Sequence, residues 1–471
     1  MIGLDLGTTT ISGVLLDAAG APIHVARRRV DAGVSSARPT RAEQDPTRLT
    51  ALALDVLAEL AAAGGPVDGI ALTGQMHGLL CTDARGQPLT PLITWQDRRT
   101  AEPLPDGTTT LERLRTRVAD LDWRPNGCRI HHGYGAATLF WLVEQDALPP
   151  DTRYVTTLAG WLAARLCGRP PATDPTFAAS WGIYDLLAGT WSAALLNRLG
   201  LDLSLLPPVW PSSAPLRELA PAVAEQVGLP AGVPVLNPIG DNQASFLGAT
   251  LQFTPGVNLA GQRAQADVPG GIVLVNLGTG GQVSWAVPAF EPPTERVETR
   301  PLPGGGALRV GASLCGGGAY AWLADTVRAW LAEFGLEIET AALYQHLNGL
   351  ARACDDTGSL RVRPTFLGVR GASGVDGGAI EGITPDNMRL GSLARATLEG
   401  IVDELYDLYA THRGRAAGGQ RVVAAGGAVE RNPLLLALLS RRFALPVEMA
   451  KSQEAAALGA CTGPGLPEAP A

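Results

Sequence analysis

At 471 residues the chain exceeds one ordinary core, so two or three domains are expected. Apolar residues make up 46% and charged residues 17%, the balance of a well-buried globular protein, and a net charge of −8 speaks against a nucleic-acid partner. That field also repels anionic ligands, which then need backbone amides or a metal ion close by.

The 57 glycines and 36 prolines are a surplus that belongs in turns, where glycine permits positive φ and close backbone approach. Lys451 is the only lysine, which rules out most lysine-based mechanisms. Six scattered cysteines, with no CxxC and no histidine at metal spacing, read as reduced thiols of a cytoplasmic protein. The chain starts directly with Ile2-Gly3-Leu4-Asp5, without a leader-like segment, and no apolar run reaches the roughly 18 residues of a membrane span. A soluble protein without a membrane partner is expected, monomeric or homodimeric.

In chain order, Ile2–Leu6 and Ile11–Leu16 read as apolar strands joined by Gly7-Thr8-Thr9-Thr10. Asp45-Pro46 starts a helix, with Asp45 as N-cap and proline in the first turn. Its apolar stripe is Leu49, Leu52, Ala53, Val56, Leu57 and Leu60, and Gly64-Gly65 stops it. A buried strand over 69–73 runs into Gly74-Gln75-Met76-His77-Gly78. The second half repeats the theme: a strand-turn-strand over 272–287 around Gly278-Thr279-Gly280-Gly281, then a helix capped by Ser392. Next come a strand at 421–425 ending in Gly426-Gly427 and a helix over about 433–443. Two halves that each open on such a hairpin predict a duplicated domain, with the seam near 240–249. The tail from Gly463 is expected to fray.

Several turns carry chemistry. In Asp5-Leu6-Gly7-Thr8-Thr9-Thr10, backbone amides and hydroxyls can converge on phosphate oxygens, and the carboxylate can hold Mg²⁺ through waters. The run lacks the GxxxxGK[ST] and GxGxxG patterns, and a glycine turn after a strand is also common without any ligand. Gly278-Thr279-Gly280-Gly281 is a tight turn or the mate of that phosphate hairpin. Gly426-Gly427 is a helix-start turn or a bare stretch of backbone against which an adenine ring can lie. Pro238-Ile239-Gly240-Asp241-Asn242 sets a carboxylate on a glycine turn. Gln75-Met76-His77-Gly78 and Trp95-Gln96-Asp97-Arg98 flank a turn at 83–86, as a structural His–Asp pair or as a sugar pocket. His131-His132 reads as a solvated or local turn pair, with no third metal ligand at suitable spacing.

Taken together, these motifs resemble the FGGY carbohydrate kinases, relatives of the actin, hexokinase and chaperone ATPases, over residues 2–461. The resemblance implies an α/β fold of two actin/hexokinase-like (ribonuclease H-like) domains with a ligand cleft between them. It gives a sugar and phosphate domain at 1–243, a nucleotide domain at 244–462 and a flexible tail at 463–471. It implies ATP and Mg²⁺ as cofactors, a small-molecule sugar as partner, and Asp241 as the catalytic residue. Sugar contacts fall on Gln75, Met76, His77, Trp95, Asp97 and Asn242. Nucleotide and phosphate contacts fall on Asp5, Gly7, Thr8, Thr9, Gly278, Thr279, Gly317, Gly426, Gly427 and Asn432, with Asp5 also the metal ligand. Gly316-Gly317-Gly318 resembles a further nucleotide turn.

Gly378-Ala379-Ile380-Glu381-Gly382-Ile383 through Ala396-Thr397-Leu398-Glu399 echoes the second family signature, with Ser392 in place of a longer polar residue. Gly135-Ala136-Ala137-Thr138-Leu139-Phe140-Trp141 lacks the lysine usual before the tryptophan of the first signature. Within the family the runs Gly74–Gly78, Thr94–Asp97, Ala137–Trp141 and Ala179–Gly182 resemble the sedoheptulose-phosphorylating branch, although Arg98 replaces an expected glycine. The xylulose branch shares Gln-Met-His-Gly, so that run does not discriminate, and xylulose or another pentulose is the alternative substrate. A non-kinase actin-like ATPase and a catalytically quiet sugar sensor are the rival classes.

Overall fold

The computed structural model describes residues 1–253, 271–366, 377–413, 419–452 and 454–462. The tail expected to fray, 463–471, lies outside the described residues. Packing divides the chain into two units. The first collects Met1–Val268, Thr299–Ala307 and Glu454–Ala471, and the second Pro269–Glu298 and Leu308–Gln453.

In the first unit, Ile2–Leu6 and Thr10–Leu16 form an antiparallel hairpin that Pro22–Arg29 extends. Ile70–Gly74 lies parallel on the other side of Ile2–Leu6, and Pro234–Leu236 and Ile239–Gly240 lie parallel beyond it. Successive strand side chains point to opposite faces. Ile2, Leu4, Leu6, Ile11, Leu15, Ile70 and Leu72 therefore pack in one core with the helices Pro46–Ala62 and Leu158–Cys167. Val14, Leu16 and Ala71 face the other way, against the helix Ala455–Ala460. The predicted stripe of Pro46–Ala62 is buried, and Asp45 Oδ1 accepts from the Thr47 amide as expected of an N-cap.

The helix Ala455–Ala460 packs backbone to backbone on the helix Asp241–Thr250. A Cβ on Gly248 would lie 1.8 Å from the Ala455 carbonyl oxygen, and one on Gly459 1.8 Å from that of Ala244. Only glycine permits this approach.

The second unit repeats the pattern. Ile272–Leu277 and Gly281–Val287 form an antiparallel hairpin, with Arg421–Ala425 parallel beside the first strand and Val447–Met449 parallel beyond. The helices Gly317–Glu333, Thr340–Ala353, Leu390–His412 and Leu434–Phe443 complete it. Ser392 does not cap its helix. Arg389 holds the extended cap position, and Ser392 is buried in the first turn, where its hydroxyl accepts from the Cys354 thiol at 3.7 Å. His131 and His132 are partly buried rather than solvated. His132 Nδ1 meets the Thr100 hydroxyl at 2.8 Å, and burial, with the charges of Arg98 and Arg115, lowers its pKa to about 4.

Candidate active site

The site of the first unit lies at the carboxyl end of its sheet. Asp5 pairs in register with Thr73, and Thr73 with Ile239, so Asp5 and the Ile239-Gly240-Asp241 run are two strands apart, about 10 Å between backbones. Alternation puts Asp5 and its neighbour Ser12 on the face covered by the helix Ala455–Ala460. Glu454 stands at the start of that helix, taking the Ser12 hydroxyl on one oxygen and the Arg27 guanidinium on the other.

Asp5 Oδ1 is buried and has no hydrogen-bond partner among the described residues. Burial first, then the negative charges of Asp241 and Glu454, push its pKa up to about 8. Asp241 opens the helix Asp241–Thr250. Burial pushes its carboxyl up to about 7, against the pull of the Asn242 amide and the Arg300 charge. Arg300 is itself buried and donates to the Tyr134 hydroxyl at 3.3 Å.

Two of the predicted sugar residues, Trp95 and Gln75, meet at Thr8. Its hydroxyl accepts from Trp95 Nε1 at 2.9 Å and donates to Gln75 Oε1 at 3.5 Å, and Gln44 donates to its carbonyl at 2.9 Å. Trp95 is 42% exposed, so a flat ring face is open to ligand. Met76 lies beneath the turn: its sulfur sits 2.6 Å from where a Gly240 Cβ would stand. His77 adopts φ +72°, a region few non-glycine residues visit, and stacks on Tyr134 with centroids 4.3 Å apart. Its Nδ1 lies 2.6 Å from the Ser180 carbonyl, which can only accept, so Nδ1 carries the proton. Asn242 follows Asp241 in the first turn of the helix.

Asp97 stands differently. It is 1% exposed, and its oxygens accept from the Arg99 amide, Arg99 Nε and Nη2, and the Ala42 amide, all at 2.8–2.9 Å. A carboxylate so fully engaged braces the loops at 40–44 and 94–99 and has little capacity left for a sugar hydroxyl.

In the second unit a cavity of about 810 Å³ is lined by Gly278, Thr279, Gly317 and Asn432, four of the predicted nucleotide residues. The triple glycine owes its composition to packing. Cβ atoms on Gly316, Gly317 and Gly318 would fall 2.3–2.9 Å from carbonyl oxygens of the Gly278–Gly280 turn. Their amides donate to Thr279 and Gly278 carbonyls at 2.8–3.0 Å, so they are engaged in holding the turn. Gly426, at φ +98°, lets Arg421–Ala425 end against the Leu277 carbonyl, 2.5 Å from where its Cβ would be. Gly426 and Gly427 do not border the cavity, whereas the next residue, Ala428, does.

Sequence reasoning missed the far wall of this cavity. Tyr344 and Asn348, one turn apart on Thr340–Ala353, line it, and Asn348 Oδ1 accepts from Asn432 at 3.0 Å. Tyr320 lines it too, its hydroxyl buried without a hydrogen-bond partner among the described residues. Arg300 and Glu454 were missed as well, because no local pattern marks them.

The family model described as "FGGY family of carbohydrate kinases, N-terminal domain" matches residues 1–248, and its C-terminal counterpart matches residues 275–462. The chain belongs to the FGGY carbohydrate kinases. As such, it is a sugar kinase that transfers phosphate from ATP. A mouse (Mus musculus) sedoheptulokinase is 28% identical to this kinase over 97% of this chain and 95% of its own. A Thermus brockianus glycerol kinase is 30% identical over 99% and 89%. A xylulose kinase from Rhodospirillum rubrum superposes with TM-score 0.81 at 26% identity, covering 98% of this chain and 88% of its own. The two-domain fold is thus shared with glycerol and xylulose kinases. No described helix is long and apolar enough to cross a membrane.

Proposed function

We propose that this kinase phosphorylates the terminal hydroxyl of a ketose, with sedoheptulose as the first candidate and sedoheptulose 7-phosphate as product. The observation that carries the reading is the placement of Asp241: Gly240 pairs with Gly74 and abuts Met76, which sets the carboxylate next to the Gln75-Met76-His77 run. With a pKa of about 7, Asp241 is a far better base at neutral pH than an ordinary aspartate near ~3.9. It orients the acceptor hydroxyl and takes its proton as the oxygen bonds to the γ-phosphorus and the bond to the β,γ-bridging oxygen breaks, releasing ADP. Such transfer is loose and depends chiefly on positioning and charge stabilisation.

Gln75, His77, Trp95 and Asn242 hold the sugar directly, Met76 and Asp97 from behind. Gly7, Thr8 and Thr9 hold phosphate, while Gly278, Thr279, Gly317, Asn432 and the backbone around Gly426-Gly427 serve the nucleotide. Asp5 suits Mg²⁺, for it keeps a buried oxygen without a protein partner in a region of negative potential. Magnesium takes one or two carboxylates plus waters and substrate phosphates, so no larger ligand cluster is needed. When bound there, the ion neutralises phosphate charge. In this reading, residues 1–243 form the sugar and phosphate side and 244–462 the nucleotide side of a cytoplasmic monomer or homodimer.

The test is ATP-dependent ADP release measured with sedoheptulose, xylulose, ribulose and fructose. The highest kcat/KM is expected with sedoheptulose. Equal or greater turnover of xylulose selects the pentulose alternative, which the likeness to a xylulose kinase supports. Hydrolysis indifferent to every ketose rejects the reading.

A further inference from the structure

Asp241 is carried by Gly240, and Gly240 is held by a side chain that touches neither sugar nor nucleotide in the reading above. The Gly240 amide donates to the Thr176 hydroxyl at 2.7 Å. A hydroxyl has a single proton, so with that oxygen accepting from Gly240, its own hydrogen goes to Asp174 Oδ1, also at 2.7 Å. Asp174 in turn caps the helix Pro175–Ala179 through the Phe177 amide at 2.9 Å and accepts the Ser212 hydroxyl on its other oxygen at 2.5 Å. Asp174 and Thr176 are fully buried at 0% exposure, so water does not substitute for either partner. On the opposite side, Met76 occupies the space next to the Gly240 Cα.

We propose that Thr176, oriented by Asp174, is a positioning residue that sets the placement of the Asp241 carboxyl through the Gly240 amide. The relay Asp174–Thr176–Gly240 runs in one direction: the Gly240 amide donates to Thr176, Thr176 donates to Asp174, and Asp174 is fixed in turn by the Phe177 amide and the Ser212 hydroxyl. Losing the hydroxyl leaves the Gly240 amide buried without a partner, and the turn shifts to find one. A displacement of about 1 Å at a reacting group costs up to about a hundredfold in rate. The proposal rests on Asp241 as the group that meets the acceptor.

The experiment compares Thr176→Val, Thr176→Ser and Asp241→Asn in the full-length kinase. Steady-state kinetics use the best ketose of the panel, and ATP affinity is read by equilibrium binding. Thr176→Val keeps the shape and removes the hydroxyl; its kcat is expected to fall roughly tenfold to a hundredfold. Sugar KM and ATP affinity should stay within about threefold, and Thr176→Ser should restore kcat to within about threefold. If Thr176→Val does not fold, Asp174→Asn takes its place. It keeps the helix cap and weakens the hold on the Thr176 proton, so a kcat loss without a KM change is again expected. Equal losses in the valine and serine variants, or a loss confined to KM, would overturn the relay. So would unchanged kcat in the valine variant while Asp241→Asn is inactive. If Asp241→Asn itself keeps full turnover, the assignment of Asp241 fails, and the relay with it.

Discussion

The two hairpins of this kinase use one backbone device with two electrostatic outcomes. Asp5-Leu6-Gly7-Thr8 in the first unit matches Asn276-Leu277-Gly278-Thr279 in the second, position for position. Each hairpin is flanked by a parallel strand with a glycine at its end or just past it, lying close against the hairpin. A Cβ on Gly74 would come 2.9 Å from the Leu6 carbonyl oxygen, and one on Gly426 2.5 Å from that of Leu277. The side chain one step before the leucine differs. The first unit keeps a carboxylate there and surrounds it with Asp241 and Glu454, raising its pKa. The second has an amide and opens onto a cavity walled by Tyr320, Tyr344 and Asn348. An anion-rich pocket suits a cation and an acceptor hydroxyl, and a neutral, aromatic-lined one suits a flat base. The two units share one strand pattern, and the Asp5/Asn276 difference is where their turns part in charge.

That contrast can be broken in order of expected effect. Asp241→Asn removes the proposed base: kcat should fall about 10³-fold, with ATP binding near normal by calorimetry. Asp5→Asn makes the first turn a copy of the second. Turnover should drop about a hundredfold with a rightward shift of the Mg²⁺ titration, the effect expected from removing the cation ligand proposed above. Tyr344→Ala tests the other side: KM for ATP should rise about tenfold while the sugar KM stays put, and a change in sugar KM instead would blur the division.

The smallest effect is one of pH. Asp241 and Asp174 have folded pKa values of about 7 and about 6, above their ordinary 3.8, both raised mainly by burial. The folded chain therefore binds protons more tightly than the unfolded one between about pH 4 and 7. Stability present below pH 4 is lost as pH rises through that window. Without Mg²⁺ or nucleotide, Tm should fall by a few degrees from pH 5 to pH 8, and Asp241→Asn should flatten that slope. A Tm rising over the same range would contradict the burial described for these carboxyls.

Much of this was legible from residue order alone. Both hairpins and the helix Pro46–Ala62 follow from apolar alternation, a glycine-threonine turn and an Asp-Pro start, all local signals. Asp241 stands out only beside the three other glycine turns at 5–10, 278–281 and 425–428; alone, its glycine turn is unremarkable. Asp97 shows the limit: its sequence neighbours do not say that Arg99 folds back onto it and leaves the carboxylate occupied. Ser392 resembled a cap because it precedes an apolar stripe, but the helix had already begun two residues earlier, at Leu390. Glu454 and Arg300 reach the first unit only through the path of the chain. Tyr344 and Asn348 look like the polar side of an ordinary amphipathic helix whose buried stripe is Leu343, Leu347 and Ala351.

The docking of Ala455–Ala460 has a consequence for synthesis. Ser12 and Arg27 are made early, yet their acidic partner arrives some four hundred residues later, after the entire second unit has been threaded out. A nascent chain can finish its first hairpin long before Glu454 leaves the ribosome. Until then the Glu454 contacts to Ser12 and Arg27 are unmade, and Gly248 has no Ala455 carbonyl to close against. A chain cut just before residue 454 loses the helix that closes on Asp241–Thr250, and loss of sugar-dependent ADP release is the expected outcome.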